Sequence, residues 1–253
     1  MQVWFRAALL IAGSLLAVPA WSGDRASDLG LIDASESGDL AQAQAWLAKG
    51  ASTKARNHNG DTALGFASRN GNLEIAELLI KNGADVNLGN LKDIPPLHEA
   101  VYNGHVDVAR LLLEHGANVN AEDNSGKSAI IYASGNGDVP MLELLAEYKV
   151  DLNKVSAHGL TPLMWAAGYG NVEGAYYLVT HKVALDPQDD RGMTALMLAA
   201  KAGAPGVVAL LLDAGANADL KDKEGHSAVD YASAIGSPDL IKLFDREQKQ
   251  PAP

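Results

Sequence analysis

The sequence predicts an all-α protein, a solenoid of stacked helix-turn-helix units joined by hairpin-like loops, about seven units long with its caps. Three observations carry this expectation. Gly60, Gly126, Gly159, Gly192 and Gly225 stand at 33-residue multiples, with Asp93 filling the one gap. Ala67, Ala100, Ala133, Ala166, Ala199 and Ala232 keep the same step, as do Gly71, Gly104, Gly137, Gly170, Gly203 and Gly236. Apolar runs such as Leu78-Leu79-Ile80, Leu111-Leu112-Leu113, Leu144-Leu145 and Leu210-Leu211-Leu212 recur in phase with them. A solenoid buries its core between neighbouring units, so 253 residues need no single central nucleus.

The first residues stand outside the ladder. Arg6 is followed by a small, apolar run from Ala7 to Val18. Val18-Pro19-Ala20 and Ala20-Trp21-Ser22 then offer small residues for cleavage, so 1–22 reads as a secretory signal peptide. The apolar run is shorter than the ~20 residues a membrane-spanning helix requires. With no cysteine there is neither a disulfide nor a lipid-bearing thiol, and the mature chain is expected to be free of the membrane. The Ala-rich leader points to a bacterial periplasm.

Each unit reads as helix, turn, helix and extended loop. Thr62, Ser128, Thr161, Thr194 and Ser227 stand where a helix N-cap is wanted, because a hydroxyl can accept from the free N–H groups of the first turn. Pro96 and Pro162 follow at the first helical position, where the missing N–H costs nothing. Glycines of the Gly71 column end the first helix, and Gly83, Gly116 and Gly215 end the second. The Ala67 column is small because two helix layers approach there.

The repeat domain spans 27–246. Its first unit, 27–59, keeps Ala34, Gly38, Leu47 and Gly50 but is more polar, as a cap exposed on one side requires. The last cap, 225–246, stops after Leu240-Ile241-Lys242-Leu243-Phe244, and 247–253 is a polar tail expected to be disordered. Units four and five carry Lys149 and Lys182 where glycine should end the second helix. Unit five also has Gly174 at an apolar position, read as making room for Tyr177.

The units resemble the ankyrin repeat family. Pro95-Pro96-Leu97-His98-Glu99-Ala100 and Thr161-Pro162-Leu163 match its Thr-Pro-Leu-His-x-Ala signature. Asn103-Gly104-His105 and Leu111-Leu112-Leu113-Glu114-His115-Gly116-Ala117-Asn118-Val119-Asn120 match the rest of its repeat. Together with the leader, the chain looks like an exported, periplasmic bacterial member. The resemblance is specific for fold and nearly silent about function, since the family binds proteins of every kind.

No catalytic constellation emerges. The family pattern itself places His98 and His105, and His115 lies near a helix C-terminus where imidazole can bond free carbonyls. His58, His158 and His226 fall at loop tips, and His181 at an outer helix end. No histidine pair has zinc-helix spacing, no Gly-x-Ser-x-Gly is present, and the Gly-x-Gly stretches lack a phosphate-loop ending. Neither a metal nor a cofactor is expected.

The resemblance implies instead that partners touch the loop tips and the exposed face of each first helix, which line a concave groove. Carried over column by column, this gives His58 and Arg69 in unit two, Tyr102 in unit three and Asn124, Lys127 and Asn136 in unit four. It gives His158, Leu160, Trp165 and Tyr169 in unit five, with Arg191, Met193 and Lys201 in unit six. Aromatic and arginine side chains are the usual anchors of interfaces, so Tyr102, Trp165, Tyr169, Arg191 and Met193 form the expected central stripe. Trp165 and its column mates Phe66, Tyr132 and Tyr231 can equally pack between units.

The formal charge of −11 becomes about −12 once Arg6 leaves with the leader. That disfavours nucleic acid and anionic membrane, and favours a basic protein partner. The expectation is a monomeric, non-catalytic module, accessory to a periplasmic enzyme or stress-defence system. The alternative is an immunity-type inhibitor of a toxin acting in the periplasm. A remote third is an enzyme or small-ligand-binding protein.

Overall fold

The computed structural model describes residues 25–247, so the leader lies outside the described residues, and so does the expected tail apart from Glu247. Among the described residues, fourteen α-helices follow one another in pairs. They are α1 (Arg25–Ser37) and α2 (Leu40–Ala48), α3 (Ala63–Asn70) and α4 (Leu73–Lys81), α5 (Pro96–Tyr102) and α6 (Val106–Glu114). Next come α7 (Ala129–Asn136) and α8 (Val139–Glu147), α9 (Pro162–Gly168) and α10 (Val172–Thr180). The last are α11 (Ala195–Lys201) and α12 (Pro205–Asp213), and α13 (Ala228–Ile235) and α14 (Pro238–Glu247). Each first helix packs on the first helices of its neighbours, and each second helix on the second helices, giving two layers. The fold is the expected solenoid of seven helical pairs.

The core runs continuously between units. All six alanines from Ala67 to Ala232 are wholly buried, which is what lets the layers approach. Leu79, Leu112, Leu145 and Leu211 are sealed between second helices and the inner layer. Burial of one such leucine contributes about 1.5–3 kcal/mol, so the stack rather than helix propensity sustains helices of seven to thirteen residues.

The caps largely follow the sequence. Thr62, Thr161, Thr194 and Ser227 each accept from the backbone N–H three residues on. Ser128 does not: its hydroxyl is buried without a hydrogen-bond partner, so α7 starts without the expected side-chain cap. Lys149 and Lys182 adopt the glycine conformation they replace, at φ 59 and 57, and Asp93 does so at φ 53. The repeat backbone thus overrides a residue cost of about 1–2 kcal/mol at each lysine.

The reading of Gly174 is corrected. A Cβ there would stand 2.6 Å from the Ser134 carbonyl oxygen, so the gap admits the end of α7, not the Tyr177 ring. That ring stacks on His181 at 4.1 Å, and its hydroxyl points to the Leu142 carbonyl.

The loops between units are tight hairpin tips. Asn57, Asn90, Asp123, Asp189 and Asp222, all in one column, use a side-chain oxygen to accept two backbone N–H groups of their own turn. Neighbouring tips are joined by backbone bonds, from Asn124 to Lys92, Asp190 to His158 and Lys223 to Arg191. Unit five departs from this. Ser156 occupies the column and donates to the Leu160 carbonyl, and His158 sits at φ 64.

Candidate functional site

The face made by first helices and loop tips carries one aromatic concentration, where α5, α7 and α9 adjoin. Trp165 lies in the first turn of α9 and Tyr169 caps its end. Four residues of helix put both rings on one side, where they stack at 5.8 Å. Tyr169 is 69% exposed and Tyr102, at the end of α5, is 59% exposed. Tyr102 meets Tyr132 edge to face at 5.6 Å, and Tyr132 is half-buried.

Two shallow hollows flank these rings. One, of about 220 Å³, is lined by Tyr102, Lys127, Ile131, Tyr132, Gly135, Asn136, Trp165 and Tyr169. The other, of about 180 Å³, is lined by Leu160, Met164, Trp165, Gly168, Tyr169 and Leu198. Trp165 and Tyr169 are their common wall. Both are smaller than the roughly 300 Å³ at which small-molecule sites begin.

Asp123 positions the polar side of the first hollow. Its Oδ2 accepts from the Tyr132 hydroxyl at 2.5 Å, and its Oδ1 accepts from the N–H groups of Ser125 and Lys127. Burial works against the Asp123 charge, but these donors outweigh it and hold the carboxyl below its usual range. Burial, and donation to that carboxylate, push the Tyr132 phenol well up. Lys127 leaves the turn with its ammonium 4.5 Å from the Trp165 ring centre and 5.6 Å from that of Tyr132. Such cation–π contacts contribute about 0.5–2 kcal/mol and fix where the charge stands.

The other expected site residues are distributed differently. His58 and His158 are exposed at their tips, the latter with Nδ1 3.6 Å from an Asp190 oxygen. Leu160 is half-buried in the wall of the second hollow. Arg69, in unit two, is engaged by Glu99 and Asp61, and Arg191, in unit six, is bonded to Asp189 at 2.7 Å. Met193 is corrected: it is 2% exposed and belongs to the core. Its N–H donates to Asp189 Oδ1, as its column mates do in their own turns, but its apolar side chain packs into the core where Lys127 and His226 reach outward.

Sequence reasoning missed Met164, Leu198, Ile131 and Gly168 as wall residues, and Asp123 as an anchor. One signal for the anchor was present: Asp123–Tyr132 and Asp222–Tyr231 share a nine-residue spacing, and both pairs bond. The histidines behave structurally. His98 is buried with Nε2 at the Lys127 carbonyl, and His105 reaches the Arg69 carbonyl. His115 and His181 bond carbonyls at the ends of their own helices. Among the described residues no cluster of histidine and carboxylate groups is placed to hold a metal ion, and no helix is long and apolar enough to cross a membrane.

Charge is divided between the layers. Of the second helices, α4, α6 and α8 carry Glu74, Glu77, Asp107, Glu114, Glu143 and Glu147 against Lys81 and Arg110. On the aromatic face, the carboxylates Asp61, Glu99, Asp123 and Asp189 are buried or half-buried and bonded to neighbours.

This geometry has counterparts. A family model described as Ankyrin repeats (3 copies) matches residues 31–123 and 118–189, and one described as Ankyrin repeats (many copies) matches 178–232. A comparison with curated proteins finds no significant match. Among solved structures, the chain is similar to the human ASB11 ankyrin repeat domain, at 27% identity and a TM-score of 0.78. That match covers 88% of this chain and 99% of the other. Signature, two-layer stack and family matches agree, and the chain belongs to the ankyrin repeat family.

Proposed function

We propose that this chain is an exported, non-catalytic binding module that holds a protein partner in the groove centred on Trp165 and Tyr169. In this reading it acts as a monomer in the periplasm, accessory to an enzyme or stress-defence system there. One observation carries the groove assignment: Tyr169 and Tyr102 are held out to solvent beside two hollows of side-chain size. Large aromatic groups held beside side-chain-sized hollows are the usual anchors of protein interfaces. Ankyrin repeats are interaction modules, which supports a polypeptide partner. Export is supported by the layout of residues 1–22.

The alternative, an immunity-type inhibitor of a periplasm-acting toxin, is favoured by the acidic second helices, which suit a basic protein. That charge lies away from the aromatic groove, so a basic partner would engage the other layer. An enzyme or small-ligand reading would need converging ionisable groups, whereas the two hollows are walled mainly by rings and aliphatic chains.

Affinity capture from periplasmic extract with the chain lacking residues 1–22, followed by mass spectrometry, tests the proposal. One protein captured by the parent chain and lost with Tyr169→Ala supports the groove. Capture unchanged by Tyr169→Ala and by Trp165→Ala refutes it. A captured hydrolase or toxin whose activity is blocked would favour the inhibitor reading.

A further inference from the structure

We propose that the groove takes a peptide segment of its partner in which a bulky apolar side chain lies within two residues of a carboxylate. This rests on the groove reading above and reverses, for this face, the basic partner that net charge favours.

The groove's two arginines are neutralised by carboxylates, whereas its lysines Lys127 and Lys201 are not. Arg69 and Arg191 are matched by Glu99 and Asp189. Lys127, between them, makes no ion pair among the described residues, and its ammonium rests on the rings of Trp165 and Tyr132. Lys201, one unit beyond the aromatic pair, stands over Tyr231 at 5.2 Å and likewise makes no ion pair among the described residues. The exposed acids at the loop tips include Asp93, Asp190 and Glu224, the last two beside His158 and His226. An incoming carboxylate therefore meets lysines whose charge is not already neutralised, in a hollow that rings and Ile131 shield from water.

The second hollow supplies the other half of the preference. Leu160, Met164, Leu198 and the two rings make an apolar recess, with Gly168 leaving one side open. Lys127 stands 4.5 Å from the Trp165 ring centre, and Tyr169 is 5.8 Å from the same ring. An extended segment covers such a distance in two residues at about 3.3 Å each. Unit five, which supplies most of this recess, is also the unit whose tip departs from the shared turn, and Val155 and His158 are exposed there.

The test is selection from a phage-displayed library of random dodecapeptides on the immobilised chain lacking residues 1–22. The parent chain should enrich Asp or Glu within two residues of Leu, Met, Phe or Trp by about tenfold. Lys127→Met should abolish that charge preference, and Lys127→Glu should turn it toward Lys and Arg, with circular dichroism verifying that both fold. Enrichment of basic peptides, absence of charge preference or absence of any enrichment overturns the proposal. If preference is absent but selection still collapses with Tyr169→Ala, the groove reading survives alone. Selection indifferent to Tyr169→Ala removes both.

Discussion

Arg69 of the second unit grips Glu99 of the third with two bonds, Nε to Oε2 at 3.0 Å and Nη2 to Oε1 at 2.7 Å. The guanidinium also lies over the Phe66 ring at 5.0 Å, so one side chain ties a first helix to the next. Arginine's planar fork suits such a bidentate bond, and lysine would not reproduce it. Because the Arg69 side chain is 36% exposed, solvent screens the pair. Glu99→Gln should therefore lower stability by only about 1 kcal/mol, read as a shift in the urea midpoint. A double-mutant cycle with Arg69→Met should return most of that as coupling.

Two glycines in unit five should respond oppositely to alanine. Gly174→Ala drives a methyl against the Ser134 carbonyl oxygen at 2.6 Å and should cost about 1–3 kcal/mol. Gly168→Ala meets nothing within 4 Å and lies in the last turn of α9, so it should stabilise by about 0.5 kcal/mol. Thermal unfolding of the two variants checks the contrast.

The Asp–Tyr pairs make stability fall at high pH. Donation to Asp222 above all, with some burial, raises the Tyr231 phenol from 10.0 to about 12, and burial with donation to Asp123 raises Tyr132 as well. A folded state that holds these protons more tightly than the unfolded chain is favoured fully below pH 10. That contribution is lost as pH rises from about 10 toward about 12. The depressed Asp123 and Asp222 act at the other end: their contribution is present above the ordinary carboxylate range and is lost as pH falls through their folded values. Replacing both Tyr132 and Tyr231 with phenylalanine should flatten the alkaline fall while lowering stability at neutral pH. Urea midpoints followed across pH, with phenolate absorbance, measure both effects.

Substitutions in the groove should separate binding from folding. Tyr169→Ala should weaken partner binding by about 2 kcal/mol or more, near 30-fold, with little change in unfolding temperature, because the ring is largely exposed. Trp165→Ala should weaken binding and also cost about 2 kcal/mol of stability, since its ring is half-buried and carries Lys127 and Tyr169. Met193→Ala should cost about 2–3 kcal/mol of stability and leave binding by the folded protein unchanged. Calorimetric unfolding beside binding measurements would separate the three.

Much of the fold was legible because its devices are local. Thr62 caps α3 through a residue three positions on, and Gly71 closes that helix on carbonyls three and four positions back, so both signals lie inside one period. The site was legible only in outline. Tyr102 and Tyr169 were found because large aromatics stood in rim columns. Met193 was misplaced because its column differs from unit to unit: the equivalent residues are Asp61, Ile94, Lys127, Leu160 and His226, of which Ile94, Lys127 and Leu160 are half-buried and His226 is exposed.

The sequence by itself determined the repeat, its phase, its caps and the family, since those follow from contacts three to five residues apart repeated in register. Only the tertiary structure decided which rim side chains remain free to bind. Arg69 is claimed by a residue 30 positions away, Lys127 rests on a ring from the next unit, and Gly174 answers to a carbonyl in the unit before. Such pairings join neighbouring units whose side chains vary independently, so stacking the chain is what reveals them.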